Sequence, residues 1–410
     1  MTFNRRPIQF LFGAALALHV CAAEPQQPYL FGVLIANPKH LASDYAAGIR
    51  LALVEVNWSR YEPVRGSYDM KYRDERAATA KACRDAGFRV AVTVGLHYTP
   101  KWIRNDPALQ HQSQFPGSTS GMANLAFNQP LRDDAEKYIA DVVAHMGPVD
   151  FYRVGLSEQG ETFYPEAPHD EWWAFDAMAQ GDNPGRPEGI PPPPLPHWVP
   201  GTPYRDKAVS TADAQRWYDW YFGALVNAHD WEIRAHRAAG YKGLIQLPMP
   251  GQGVRPDLYR RRIANGLALT SPSNPDSFHT MNTGANWFLF LDRLADKSNL
   301  IVDISSVYDS SGVPRGNGCG PDDDKVDYLH DPQVNRWSSA RWISLHAGRN
   351  GLPVIGENPG HDDFAAMQNA VRLMKECRLI GLMWAFDDEL YGGKHATLAD
   401  YAKLIRESNP

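Results

Sequence analysis

Four times along the chain an amphipathic stretch of helical spacing ends and a short apolar run begins at once: KACRDAGFRVAVTVG, RAAGYKGLIQLP, AGRNGLPVIGE and LMKECRLIGLMW. In the first three a glycine stands at the junction, where a helix C-terminus favours a positive φ. The apolar runs are continuous rather than alternating, as expected of parallel strands covered on both faces. Extending the pattern predicts eight strands, at 30–36, 51–57, 89–95, 150–156, 243–248, 299–306, 352–357 and 379–386. Helical patterns separate them, notably 73–86, 130–146, 211–239, 334–348, 363–376 and 397–407. Strands alternating with helices imply a parallel sheet, and eight such units are the count of an α/β fold of the (β/α)8 TIM-barrel type. An open doubly wound sheet is the competing architecture. It calls for a glycine-rich phosphate turn after the first strand, and FGVLIANPKH lacks one.

Between strands four and five lies DNPGRPEGIPPPPLPHWVPGTPYRD, residues 182–206. The run Pro191–Pro194 suits neither helix nor sheet interior, so a long Pro-rich insertion is expected at about 165–210. In a barrel, a loop following a strand lies on the catalytic face. The alternative is a linker between two domains. Strands five to eight still need the first four to close a sheet, which points to one domain over 24–410.

Residues 1–23 have the layout of a secretory signal peptide: a basic start at Arg5 and Arg6, an apolar stretch from Ile8 to Val20, and small residues at Cys21-Ala22-Ala23. The expectation is a secreted or periplasmic protein. The apolar stretch is short for a membrane span, and His19 and Val20 are poor residues before a lipidated Cys21. No later segment approaches 18 uncharged apolar residues, so no membrane contact is expected after cleavage. Three cysteines then remain, Cys83, Cys319 and Cys377, with no C-x-x-C pair. They support neither a zinc site nor a dense disulfide frame, and Cys83 and Cys377 are expected to be buried free thiols. Lys plus Arg number 41 against 47 Asp plus Glu, a net charge of −6 without long runs, which argues against a nucleic-acid partner. With 12 Trp, 18 Tyr and 16 Phe the chain is far too aromatic to be wholly disordered.

The predicted strand ends are rich in carboxylates and aromatic rings. Strand two leads into Asn57, Trp58, Arg60 and Glu62, strand three into His97, Tyr98 and Trp102, and strand four into Glu158, Glu161 and Tyr164. Strand six carries Asp303 and Tyr308, strand seven ends at Glu357-Asn358, and strand eight holds Trp384, Asp387 and Asp388. Two carboxyls across one barrel mouth suit glycoside hydrolysis: one protonates the leaving oxygen while the other attacks the sugar or activates water. Several of these residues have plainer readings. Glu62 and Glu166 adjoin prolines and are expected to be solvated, Asp387 and Asp388 to cap the last helix, and His97 to be a wall of the pocket. Glu357 directly follows the apolar run Leu352–Ile355 and Gly356, where an idle carboxylate is costly, so it is the foremost functional candidate.

These strand-end motifs resemble the clan A glycoside hydrolases, particularly the β-galactosidase-like families. Their W-x-x-x-E-P-x-x-G-x-Y-D segment after strand two is matched from Trp58 to Asp69. The resemblance implies Glu357 as nucleophile and Trp384 as the strand-eight tryptophan. At strand four Ser157-Glu158 stands where those families have Asn-Glu, leaving the acid open. VGLSEQGETFYP is similar instead to the β-amylase strand-four segment V-G-L-x-x-x-G-E-x-x-Y-P, which implies Glu161 as acid, with Glu357-Asn358 matching that family's second carboxylate segment.

The expectation is therefore an exported hydrolase of O-glycosidic bonds, retaining, with Glu357 as nucleophile and Glu158 or Glu161 as acid/base. Asn57, Trp58, Arg60, His97, Trp102, Tyr164, Asp303, Tyr308, Asn358 and Trp384 are the candidates to bind a carbohydrate substrate, Trp172 and Trp173 being further sugar platforms. No metal or organic cofactor is implied. An inverting β-amylase-like hydrolase and a non-catalytic carbohydrate-binding barrel are the alternatives.

Overall fold

The computed structural model describes residues 28–167, 169–268, 281–308 and 317–410; the signal segment expected at 1–23 lies outside them. Eight parallel strands close into a barrel: β1 (Leu30–Leu34), β2 (Leu51–Glu55), β3 (Arg89–Thr93), β4 (Phe151–Arg153), β5 (Leu244–Met249), β6 (Leu300–Ile304), β7 (Val354–Glu357) and β8 (Gly381–Phe386). Each pairs with its sequence neighbours, and β8 returns to β1 with Leu30 opposite Gly381. The fold is a (β/α)8 TIM barrel. The outer helices are α1 (Leu41–Ala47), α2 (Met70–Asp85), α3 (Gln129–His145), α4 (Thr211–Ala238), α5 (Pro256–Ala264), α6 (Trp287–Arg293), α7 (Ser339–Arg349), α8 (Phe364–Glu376) and α9 (Leu398–Ser408). The strand periodicity did not announce α1, α5, α6 or the antiparallel hairpin Gln110–Gln112/Thr119–Ala123 after β3.

The helix-to-strand junctions obey the expected chemistry. Gly87, Gly240 and Gly351 have φ of 92°, 95° and 66°, the left-handed turn that ends each preceding helix. At the fourth junction Arg378 takes the same conformation at φ 56°, without glycine's freedom. Most helices also start on a side-chain cap: Asp69 accepts from the Tyr72 N–H, Asn128 from Leu131, and Thr397 shares a capping box with Asp400.

Strand alternation sorts side chains into two cores. Leu34, Leu51, Leu53, Ala91, Phe151, Ile301, Ile355 and Met383 fill the barrel, while Ala52, Val54, Val92, Tyr152, Ile245, Val302, Leu382 and Trp384 face the helices. Among the described residues, the segment between β4 and α4 holds one short helix, Ala177–Gln180. Trp172 and Trp198 pack there against Trp217 of α4. Strands from both sides of this segment belong to the one closed barrel. Just ahead of β1 the Tyr29 N–H donates to Asn409 Oδ1 at 2.8 Å, and Asn409 Nδ2 donates to the Tyr29 carbonyl at 2.8 Å, tying the start of the barrel to the residue after α9.

Cysteine arithmetic erred at one position. Cys83 is a buried free thiol, but Cys377, at the end of α8, is disulfide-bonded to Cys319 across 58 residues. Closing a loop of that length restricts the unfolded chain, an effect worth about 2–4 kcal/mol. Cys377→Ser is therefore expected to lower unfolding stability by that amount and to abolish the effect of dithiothreitol on Tm. A wild-type Tm indifferent to reductant would contradict this.

Candidate active site

Inward alternation turns from apolar to polar at the C-terminal ends of the strands. Leu53 is followed by Glu55, Ala91 by Thr93, Phe151 by Arg153, Ile301 by Asp303 and Ile355 by Glu357, each two residues on. Of these, Glu55, Thr93, Arg153 and Glu357 line the floor of a cavity of about 470 Å³ at the barrel mouth. Its walls include His97, Tyr98, the loop Glu158–Glu161, Gly251-Gln252, Ser305-Ser306, Pro359 and Phe386.

At the floor Arg153 grips both oxygens of Glu357: Nη2 donates to Oε1 at 2.7 Å and Nη1 to Oε2. Planar two-pronged pairing fixes the carboxylate's plane as well as its charge. Arg153 Nη1 also lies 3.8 Å from Asp303, which accepts from Gln246 Nε2 at 2.8 Å. Burial opposes the charge of Arg153, but the Glu357 and Asp303 carboxylates outweigh it and raise its pKa. Asp303 is wholly buried; burial first and then the neighbouring Glu357 push its carboxyl well above the ordinary range. The arrangement is one guanidinium serving two carboxyls, of which Asp303 is the one driven toward the neutral form.

Around this centre the side chains are tuned by the same forces. His97 is held neutral, its pKa pulled down to about 3 by burial and by the positive charge of Arg153. Glu55 accepts from the Tyr98 hydroxyl at 2.5 Å; burial raises its carboxyl, partly offset by that bond and by Arg153. Glu158 is solvent-exposed as a residue but hemmed in at the carboxyl, and desolvation raises its pKa. Its Oε2 accepts from the Glu166 N–H at 3.1 Å.

The loop bearing Glu158 and Glu161 is a tight turn. The Leu156 and Ser157 N–H groups donate to the Glu161 carbonyl at 3.0 and 3.2 Å, and Ser157 Oγ accepts from the Glu161 N–H at 3.0 Å. A Cβ on Gly155 would fall 1.9 Å from the Gly160 carbonyl oxygen. Gly160, at φ 71°, would in turn press a Cβ against the His97 ring at 2.9 Å. Ser157, found where the clan A pattern has Asn, closes this turn from within.

Of the expected site residues, Glu357, Glu158, Glu161 and His97 line the cavity, with Asp303 beneath it. Several others are corrected. Trp58 is fully buried, donates Nε1–H to Glu62 at 2.8 Å and stacks on Tyr138. Glu62, expected to be solvated, is also buried, and it accepts from the Gly66 N–H at 2.6 Å. Asn57 caps the short helix Trp58–Tyr61, Arg60 lies over the Tyr72 ring, and Trp102 donates to the Glu62 carbonyl at 3.3 Å. The specific strand-two segment is thus a self-bonded structural unit beside the cleft. Tyr164 is buried and stacked on Tyr221, and Trp172, Trp173 and Trp384 are core side chains. Asn358 is buried, and with Tyr308 it lies beside the floor, its Oδ1 accepting from the Tyr308 N–H at 3.1 Å. Asp387 does not cap α9; it accepts from the Asn37 N–H at 2.6 Å and faces His40 at 3.2 Å, while Asp388 accepts from Asn37 Nδ2. Among the described residues no tryptophan lines the cavity; its rings are Tyr98, His97 and Phe386.

Glu55, Arg153 and Gln246 went unnoticed in the sequence. The signal was there: each stands two residues past an inward apolar position, and only alternation inside an apolar run reveals it.

Comparison with known proteins bears on the fold. No protein-family model matches the chain, and no curated protein matches its sequence. Among solved structures, the catalytic domain of β-amylase from Paenibacillus polymyxa superposes with a TM-score of 0.61 at 13% identity, over 93% of this chain and 99% of that one. A β-galactosidase from the psychrophilic Marinomonas ef1 gives 0.53 at 12% identity, over 92% of this chain and 59% of that one. These structural neighbours are glycoside hydrolases, and at such identities the likeness is one of fold.

Removing the cation should expose the cost of the buried carboxyls. Arg153→Met is expected to lose about 3–5 kcal/mol of stability because Glu357 is left buried and unpaired, and Arg153→Lys to lose less. Chemical denaturation measures both; a loss below about 1 kcal/mol for Met would show the ion pair to be dispensable.

Proposed function

We propose that this chain is a glycoside hydrolase that cleaves an O-glycosidic bond of an oligo- or polysaccharide in the cavity at its barrel mouth. The observation that carries the reading is the pairing of two unlike carboxyl environments: Glu357 locked in an ion pair on the floor, and Glu158 on the wall with its pKa raised by desolvation. Across one cavity, a carboxylate held by a guanidinium suits attack on the sugar and a desolvated carboxyl suits proton donation. In the retaining reading, Glu158 protonates the leaving oxygen as a Glu357 oxygen attacks the anomeric carbon. A water deprotonated by Glu158 then displaces Glu357 from the sugar. Arg153 orients the nucleophile, and the neutral imidazole of His97 offers a ring hydrogen-bond partner to a sugar hydroxyl. Tyr98 and Phe386 supply the apolar faces for a pyranose.

The β-amylase likeness in fold, together with the Gly160-Glu161 motif, favours a second reading. There Glu161 is the acid, Glu357 activates water, and configuration inverts. Export to an oxidising compartment is part of the proposal, supported by the Cys319–Cys377 disulfide and by the layout of residues 1–23. No helix among the described residues is long and apolar enough to cross a membrane.

Glu357→Gln is expected to abolish hydrolysis of aryl glycosides and oligosaccharides while leaving the circular dichroism spectrum and glycan binding intact. Retained turnover would falsify the assignment. Proton NMR of the first-formed anomer separates retention from inversion, and a wild-type protein that binds glycans without turnover would instead be a binding barrel.

The proton donor has its own signature. A carboxyl that must be protonated to act loses activity as pH rises through its pKa, so raising that pKa moves the alkaline limb of kcat/KM upward. Glu158→Gln is expected to cost about 10²–10⁴ in rate and to erase this limb. If Glu161→Gln does so and Glu158→Gln does not, the inverting reading takes its place.

A further inference from the structure

Apart from the carboxyls of the cleft, two imidazoles and one carboxylate converge on its rim. His361 lies four residues past Glu357 in the loop leading to α8. Glu389 lies in the turn Asp387–Tyr391 directly after β8, and His395 in the loop before α9. One ligand-type atom from each falls within 4.8 Å of the other two. His361 Nδ1 is 3.9 Å and His395 Nε2 3.7 Å from Glu389 Oε2. Those separations are too long for hydrogen bonds, and none of the three side chains has a hydrogen-bond partner among the described residues. Two imidazoles facing one carboxylate without hydrogen bonding leave a central point that each could reach with a small movement.

The backbone around them is already tied. The Ala396 N–H donates to the Asp362 carbonyl at 3.1 Å, fastening the residue after His395 to the residue after His361. The Phe386 N–H donates to the Pro359 carbonyl at 3.4 Å, and the His361 ring lies 6.1 Å from the Phe386 ring. Asp362, Asp363, Asp387 and Asp388 adjoin the cluster in sequence against a single Lys394, a balance favouring a cation.

We propose that His361, Glu389 and His395 bind a zinc-class divalent cation that joins the loops after β7 and β8 at the rim of the cleft. Two histidines and one glutamate are a zinc ligand set with bonds of about 2.0–2.2 Å, and imidazole selects such ions over magnesium and calcium, which take oxygen. Three protein ligands leave a further position for water. Because Pro359 and Phe386 line the cavity and flank these loops, the cation would hold one lip of the cleft in place. This revises the expectation of a metal-free protein and stands whether or not the cleft hydrolyses glycosides.

The test uses untagged full-length protein stripped with chelator and titrated calorimetrically with ZnCl2. One zinc per chain is expected, unaffected by millimolar MgCl2, with a rise in Tm. Substituting Co²⁺ should give the visible absorption of a nitrogen-ligated site. His361→Ala, His395→Ala and Glu389→Gln should each weaken binding at least tenfold and remove the zinc-dependent rise in Tm, while matching the chelator-treated wild type in Tm without metal. These side chains are partly exposed, so the variants are expected to fold; should one fail, the other two carry the test. Wild-type protein that takes up no zinc, or equal uptake by a His361→Ala/His395→Ala double variant, would overturn the proposal.

Discussion

The ion pair between Arg153 and Glu357 is the constraint around which the barrel mouth is organised. Both side chains come from strand ends whose preceding inward residues, Phe151 and Ile355, belong to a dry core. A charge at that depth is tolerable only with a partner in good geometry. One guanidinium meets this need for Glu357 and in part for Asp303, whose Oδ2 also accepts from Gln246. The same positive charge acts on the wall, where it helps to keep His97 neutral and tempers the rise at Glu55. Arg153 thereby couples β4 electrically to β2, β3, β6 and β7.

The loop after β4 shows the same economy in its backbone. Gly155 and Gly160 approach too closely for any side chain, and Ser157 spends its hydroxyl on the Glu161 N–H. The departure from the clan A pattern at this position thus has a local physical reason: the residue closes the turn that presents two carboxyls. Glu158 and Glu161 lie on one short turn, so their relative placement follows from glycine packing as much as from their own contacts.

The barrel was legible because its signals are local and recur, four times clearly enough to extend to eight strands. A helix, a left-handed junction and an apolar run leave the same imprint wherever they occur, and at the fourth junction Arg378 takes the left-handed conformation that glycine takes at the other three. Predicted strands overran their C-terminal ends by as much as three residues, since the chain stays apolar into the loops, as at Val154–Leu156. The site was harder to read. Glu357 stood out because glycine and apolar residues precede it, whereas Arg153 was hidden by its neighbours in FYRVGL. The aromatic platforms failed for another reason: composition counts rings without saying which side of a strand they occupy, and Trp384 alternates with Met383 toward the helices. Likewise, Trp58, Glu62 and Gly66 form a pattern specific enough to suggest a family, yet its hydrogen bonds fold the segment upon itself. Cys319 and Cys377, 58 residues apart, offered no local clue at all.

The clasp between Tyr29 and Asn409 has a consequence for how the molecule presents itself. Tyr29 enters β1 at the N-terminal rim of the barrel, and Asn409 follows the last helix back to the same rim, whereas Glu357 and its companions open at the other end. Polypeptide joined ahead of Tyr29 or behind Asn409 therefore departs from the pole opposite the cleft. A fusion partner or an immobilising support attached at either point would leave the mouth facing outward, accessible to a chain far longer than the cavity holds.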